Sequence, residues 1–214
     1  IRGVVITHGH LDHIGAVPYL MPKIGFPPLY SAPLTIGFVK KRLEEFNLGD
    51  KVPLNVVQIG HDVIRLGAFT VSTFRLNHSI PDAMGLVIET PVGRLVWCSD
   101  WKFDHTPSDG RPTDFATIAK LGHDGVLALF SESTNIDRPG HSISEREVEL
   151  AFEEIMQTTK GRLIIATFST QLSRIQHFIN ASARHGRKVA LAGRSLTQNV
   201  EVARNMKALQ VPAD

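Results

Sequence analysis

The sequence predicts a mixed α/β fold built in two parts. Three observations carry this. Between residues 56 and 96, short β-branched and aromatic runs (VVQI, HDVIRL, FTVSTFRL, GLVIE) follow one another, parted by Gly and Pro. Beyond residue 137 the texture becomes helix and strand in alternation, the pattern of a parallel sheet with crossover helices. The third is a polar cluster: THGHLDHIGA, residues 7–16, follows the apolar run RGVVIT and puts three histidines and an aspartate within six positions.

Taken in order, residues 2–7 read as a short buried strand and the histidine cluster as the loop after it. Residues 14–20 suggest a short helix stopped by Pro22, and 28–32 (PLYSA) a second strand. Pro33 is placed to open a helix, with an amphipathic segment over 35–46 that ends near Asn47 and Gly49. The strand runs of 56–96 follow, with a hairpin turn at Pro91-Val92-Gly93. A helix is expected over 114–121 and an apolar strand over 125–130. Ser144 with Glu147 forms a capping box that starts a helix reaching about Thr159. Strands are then expected at 162–167 and 188–192, and helices at 172–185 and 196–209. The change of rhythm at 135–140 marks the domain boundary, giving units 1–137 and 138–214.

Composition narrows the function classes. The 214 residues fit one large domain, or one domain and part of a second. The formal charge of +2 gives no argument for a nucleic-acid partner by itself. No apolar run approaches the ~18 residues of a membrane helix. The one cysteine, Cys98, excludes a disulfide framework and favours a reducing, cytoplasmic setting.

The histidine cluster has the spacing of a metal site. In an extended turn alternate side chains point the same way, so His8 and His10 converge on one point, and Gly9 leaves room between them. Asp12 and His13 come one turn later and can face a second point nearby. Nitrogen and carboxylate donors of this kind suit zinc. A pair of metals about 3.5–4 Å apart forms a clamp for hydrolysis.

HxHxDH after a strand resembles the metallo-β-lactamase superfamily. Further motifs narrow the resemblance: Asn77-His78-Ser79-Ile80-Pro81-Asp82, Cys98-Ser99-Asp100-Trp101-Lys102-Phe103-Asp104, Phe130-Ser131-Glu132-Ser133-Thr134-Asn135, Arg138-Pro139-Gly140 and Ala192-Gly193-Arg194-Ser195. Together they resemble the ribonuclease J family of its β-CASP, nucleic-acid-processing branch. The resemblance implies an αββα sandwich, incomplete here, followed by part of a β-CASP α/β domain. It assigns His8, His10 and His78 to one divalent ion and Asp12 and His13 to another, with Asp100 shared between them. Zinc is the first expectation, manganese or magnesium the alternatives. Asp12, Asp100 and Glu132 are the implied catalytic acids, with Glu132 orienting a histidine beyond Asp214. The implied activity is hydrolysis of single-stranded RNA, internally and from the 5′ end, by a homo-oligomer.

Two departures from the family pattern stand out. Ser99 replaces a Gly common before the bridging Asp. The final metal and catalytic histidines, and the strands that precede the first motif, are not in the chain, which begins at Ile1. It is therefore expected to be an internal fragment, inactive alone.

The same fold also serves small-molecule hydrolases such as lactonases and thioesterases, and a catalytically dead RNA-binding paralogue is a third reading. The α/β segment after Asn135 favours a polymer substrate, and the six ligand positions argue against a dead site. Arg174 and Arg194, at helix starts, are candidate RNA phosphate contacts. His61, His105, His123, His141, His177 and His185 read as surface or turn residues. Arg184 to Lys188 read as the basic end of a helix, and Asp82 and Asp104 as turn-formers or partners of metal histidines.

Overall fold

A computed structural model of the chain describes residues 1–107 and 109–212. The end of the expected second unit, 213–214, lies outside them. The first part is a four-layer sandwich. One sheet is parallel, in the order β1 (Val4–Val5), β2 (Leu29–Ser31), β3 (Leu54–Val56). The other runs β4 (Val63–Leu66), β5 (Phe69–Arg75), β6 (Met84–Thr90), β7 (Gly93–Trp97), β8 (Ala128–Phe130), antiparallel except for the last pair.

Side-chain alternation along the strands builds the layers. Val5, Tyr30, Val71, Met84 and Leu86 fill the space between the sheets. Val4, Leu29 and Leu54 point the other way, onto helices. Phe74, Val87 and Val96 point outward from the second sheet, onto Leu121 of α4 (Phe115–Asp124). The helical layer on the first sheet holds α1 (Leu11–Ile14), α2 (Val17–Leu20) and α3 (Pro33–Glu44). Pro33 opens α3 as expected, and Leu34, Phe38, Val39 and Leu43 bury its inner face. Each such side chain is worth roughly 1.5–3 kcal/mol when taken from water.

Several boundaries differ from the sequence reading, each for a local reason. The first strand is shorter than 2–7, because the chain leaves one sheet for the other. The Ile6 N–H still donates to Tyr30 O at 3.0 Å, but the Thr7 carbonyl accepts from Met84 N at 3.1 Å. Pro22 does not stop the helical run. It sits in the first turn of a 3-10 turn, Met21–Ile24, where a proline's missing N–H costs nothing, and Gly25 at φ 80° ends it. Ser144 caps the helix, but not as a capping box: its hydroxyl accepts from Arg146 N, while Glu147 N donates to the Ser144 carbonyl.

The second part supplies α5 (Glu145–Thr158), α6 (Leu172–Arg184) and α7 (Arg194–Asn205). Leu172, Ile175 and Ile179 of α6 and Val200 and Ala203 of α7 join the same core as Phe38 and Leu43. The expected strands at 162–167 and 188–192 do not form. Among the described residues no ladder hydrogen bonds join them, and Ile164 is 90% exposed. They instead line a cavity of about 330 Å³ against Met156, Ile175 and Phe178. His177, expected on the surface, is buried on α6, with Nδ1 3.6 Å from Glu149. The helix period turns that position inward.

Candidate metal centre

β5, β7 and β8 run in one direction, so the segments that follow them emerge at one edge of the sandwich. His78 follows β5, Asp100 follows β7 and Glu132 follows β8. The His8–His13 segment reaches the same edge from β1, held there by the Thr7–Met84 bond. An antiparallel bridge between Asn77 and Lys102 ties the His78 loop to the Asp100 loop.

These loops bring His8, His10, His13, His78 and Asp100 together. The ligand atoms of His8, His10 and His78 lie within 4.8 Å of one another, as do those of His8, His13 and Asp100. His8 thus stands in both groups, whereas the sequence assigned it to one. Asp100 Oδ2 lies 3.9 Å from His8 Nε2, 3.4 Å from His13 Nε2 and 3.8 Å from His78 Nε2. That central position is what a shared carboxylate needs. Asp12 is outside both groups but 3.5 Å from His13 Nε2, its side chain largely exposed.

The donors fit a metal on three counts. His8 is buried, yet its Nε2 has no hydrogen-bond partner, and an orphaned buried nitrogen is costly unless something coordinates it. Its tautomer follows from its neighbours. Thr7 Oγ1 donates to Ser99 Oγ at 2.9 Å, so its contact with His8 Nδ1 at 3.2 Å has Nδ1–H as donor. The Nε2 lone pair then faces Asp100. Third, three of the imidazoles, those of His8, His10 and His78, are held toward the neutral form, as ligands must be. Burial, with His13, His78 and His10 nearby, lowers the His8 pKa to about 2. Burial and His78 lower that of His10 to about 4. Burial also pushes His78 down.

Two small residues fit tight places. A Cβ on Gly9 would stand 2.7 Å from the Phe38 ring, so its role is close packing on α3 as much as room between ligands. Ser99 has φ 53°, in the left-handed region. A Gly takes that conformation freely, and Ser99 holds it with the Thr7 hydrogen bond.

Other sequence candidates fall differently. Glu132 Oε2 accepts from Thr134 N at 2.8 Å. Burial pushes its carboxyl up, but bonds from Thr134 and the Trp101 backbone, with His78 nearby, hold it below the usual range. Among the described residues neither Asp82 nor Asp104 forms a hydrogen bond or ion pair with a metal histidine. Asp82 Oδ2 accepts from Leu34 N at 3.4 Å, in the first turn of α3. Asp104 accepts from Glu145 N at 2.9 Å, at the start of α5. Arg184 and His185 pair with Glu153 at the end of α6.

An open cleft of about 680 Å³ runs from His78 and Asp100 into the second part, lined by Lys102, Arg138, His141 and Arg174. Arg194, exposed at the start of α7, is not among its lining residues. A second groove of about 680 Å³ meets the centre at His13, Asp100 and Glu132, and is otherwise walled mainly by apolar side chains such as Val5, Trp97 and Phe130. Sequence reasoning missed Thr7, which orients His8, and Lys102. Their only signal was position: one residue before His8 and two after Asp100.

The family model for the beta-lactamase superfamily domain matches residues 1–154. The chain belongs to the metallo-β-lactamase superfamily. A second family model, the beta-CASP domain of ribonuclease J, matches residues 160–214. Ribonuclease J of Thermus thermophilus is 41% identical over 217 residues, covering 99% of this chain and 38% of the relative. Ribonuclease J2 of Bacillus subtilis is 37% identical over 206 residues, covering 96% of this chain and 37% of the relative. The chain therefore spans well under half the length of these superfamily relatives. A crystal structure of a protein of unknown function from Enterococcus faecalis V583 superposes with a TM-score of 0.67 at 17% identity, over 98% of this chain and 50% of that one. It shares the fold. Divalent metal binding follows from the superfamily, and the His and Asp groups above could hold the ions.

Proposed function

We propose that the complete protein is a metal-dependent ribonuclease that hydrolyses phosphodiester bonds of single-stranded RNA, internally and from the 5′ end. The observation that carries this reading is the open cleft that leads from Asp100 into the second part of the chain, with the exposed guanidinium of Arg138 on its wall and Lys102 and Arg174 held along it by Glu145. A polyanion needs cationic groups along its path; a lactone or thioester does not. The similarity to ribonucleases J supports the same substrate class.

In this reading His8, His10 and His78 hold one ion, Asp12 and His13 hold the other, and Asp100 lies between. Zinc suits these nitrogen and carboxylate donors best. Two bound ions would neutralise phosphate charge and favour ionisation of water at neutral pH. Asp100 supplies negative charge between the two cations, reducing their repulsion. The buried Thr7–His8 hydrogen bond fixes the imidazole so that Nε2 stays a donor to metal. Attack of water on phosphorus forms one P–O bond and breaks the bond to the leaving 3′ oxygen. Glu132 acts by orienting a histidine. We place the domain boundary at 137–138, and the protein in the cytoplasm as a homo-oligomer. The lone buried Cys98, its thiol pushed up by burial, suits a reducing compartment.

The test is substrate choice by the full-length, metal-loaded protein. Single-stranded RNA should be cleaved, and lactones and β-lactams should be turned over at most in traces. Efficient lactone hydrolysis with RNA left intact would overturn the proposal.

A further inference from the structure

Beyond the ligands themselves, one carboxylate connects the two parts of the molecule. Glu145, the first residue of α5, is buried. Its Oε1 accepts from Lys102 Nζ at 2.9 Å and from Arg174 Nη2 at 3.2 Å. Its Oε2 accepts from Arg174 Nε at 3.0 Å. Lys102 comes from the first part and Arg174 from α6 of the second. Asp104 closes the arrangement from the first part. It is 2% exposed and accepts from Glu145 N at 2.9 Å and from the Ser144 hydroxyl at 2.7 Å.

Lys102 is also part of the ligand scaffold. Its backbone N–H donates to Asn77 O at 2.9 Å, one residue before His78 and two after Asp100. Its Nζ further donates to Ile143 O at 3.2 Å, in the loop that forms part of the cleft wall. We propose that Glu145 is a positioning residue: a clasp that sets the second-part wall of the cleft against the loop carrying Asp100. The proposal rests on the ribonuclease reading for its consequence, but not for its geometry.

Charge explains why the clasp has one stable arrangement. With Glu145 in place, a cation from each part is paired to the same buried carboxylate. Without it, Arg174 loses both of its hydrogen bonds to a carboxylate and Lys102 keeps only Asp104, 3.6 Å from its Nζ, so the tie between the two parts is lost. Lys102 would keep its backbone bond to Asn77, so the ligand loops hold, while Arg174 and the start of α5 would shift within the cleft. A substrate long enough to touch both parts would feel this. A small phosphodiester that reaches only the metal centre would not. Glu145 therefore governs preference for long over short substrates.

The experiment compares full-length, metal-loaded wild type with Glu145→Ala and Glu145→Gln. Amide hydrogen exchange at residue 145, whose N–H donates to Asp104 across the two parts, reports the clasp directly and, corrected for the change of side chain, should accelerate at least about tenfold in Glu145→Ala. The kcat/KM on single-stranded RNA should fall roughly 10–100-fold, mostly through KM, while bis(p-nitrophenyl) phosphate turnover and metal content stay unchanged. Glu145→Gln keeps the size and one acceptor oxygen, so it should fall between wild type and Glu145→Ala; it carries the test if Glu145→Ala does not fold. Unchanged exchange at residue 145 in both variants, or equal losses on RNA and on the small diester, would overturn the clasp. A wild type that does not cut RNA would sink the ribonuclease reading alone, and the exchange data would still decide the clasp.

Discussion

The two parts of the molecule treat their strand-like sequences in opposite ways. In the first, the segments that carry His78 and Asp100 leave β5 and β7, each paired on both sides, the His8 segment leaves β1, paired to β2, and a further bridge, Asn77 to Lys102, locks two of the loops. In the second, the RLIIAT segment has strand composition but no ladder partner among the described residues, and Ile164 stays 90% exposed. Its helices α6 and α7 are nonetheless fixed, because Leu172, Ile179 and Ala203 enter the core under α3. A helix closes its own hydrogen bonds and needs only an apolar face to dock. A strand of a parallel sheet needs a neighbour brought from a distance. Order in the second part therefore comes from docking onto the first.

Leu172→Ala should break this comparison hardest. The side chain is 1% exposed within the shared core, so the loss should be about 2–5 kcal/mol. Denaturant unfolding should lower stability of both parts in one transition. Loss of α6 and α7 signal alone, with the sandwich unaffected, would mean that the two parts are independent.

A smaller effect concerns acid. In the metal-free protein the folded state holds His8 near about 2 and His10 near about 4, against 6.5 for an unperturbed imidazole. Below 6.5 the unfolded chain takes up protons that the folded chain refuses, so stability must fall as pH falls. The depressed carboxyls of Glu145 and Asp104 act in the same direction at lower pH: their stabilisation is present above the unfolded pKa and is lost as pH falls through the folded one. Thermal melts of chelator-treated protein between about pH 7 and pH 5 should show a falling Tm. A flat or rising Tm would contradict a site of buried neutral imidazoles. Smallest of all, Ile164→Ala should change stability by no more than about 0.5 kcal/mol, because the side chain it trims is already in water. A loss as large as that of Leu172→Ala would show that the RLIIAT segment is packed in solution.

How much the sequence disclosed follows the same division. Which side chains gather at the candidate centre was legible because their spacing is local: His8, His10 and His13 fall within one turn and a loop, and His78 and Asp100 each follow an evident strand, whereas Asp12, read in the same way, lies outside both groups. The strands of the second sheet were legible from their β-branched and aromatic runs, whereas the sandwich was implied only by the family resemblance. What was not legible depends on distant partners. That Asp104 would hold the start of α5, and Asp82 the start of α3, cannot be read from either aspartate's neighbours in sequence. The inward turn of His177 depends on how α6 docks. The failure of 188–192 to pair depends on a neighbour strand that no local pattern reveals.

The central claim is that Asp100 stands between two ions held by the histidine cluster. Metal analysis of the full-length protein, wild type beside Asp100→Asn, tests it most directly. The substitution keeps the shape of the side chain and removes its charge, so the fold should persist while the cations lose what offsets their repulsion. Wild type should carry both ions. Asp100→Asn should be depleted, with affinity for at least one ion reduced by about 10–100-fold or more and RNA cleavage abolished. Full occupancy by both ions and undiminished cleavage in Asp100→Asn would contradict the account.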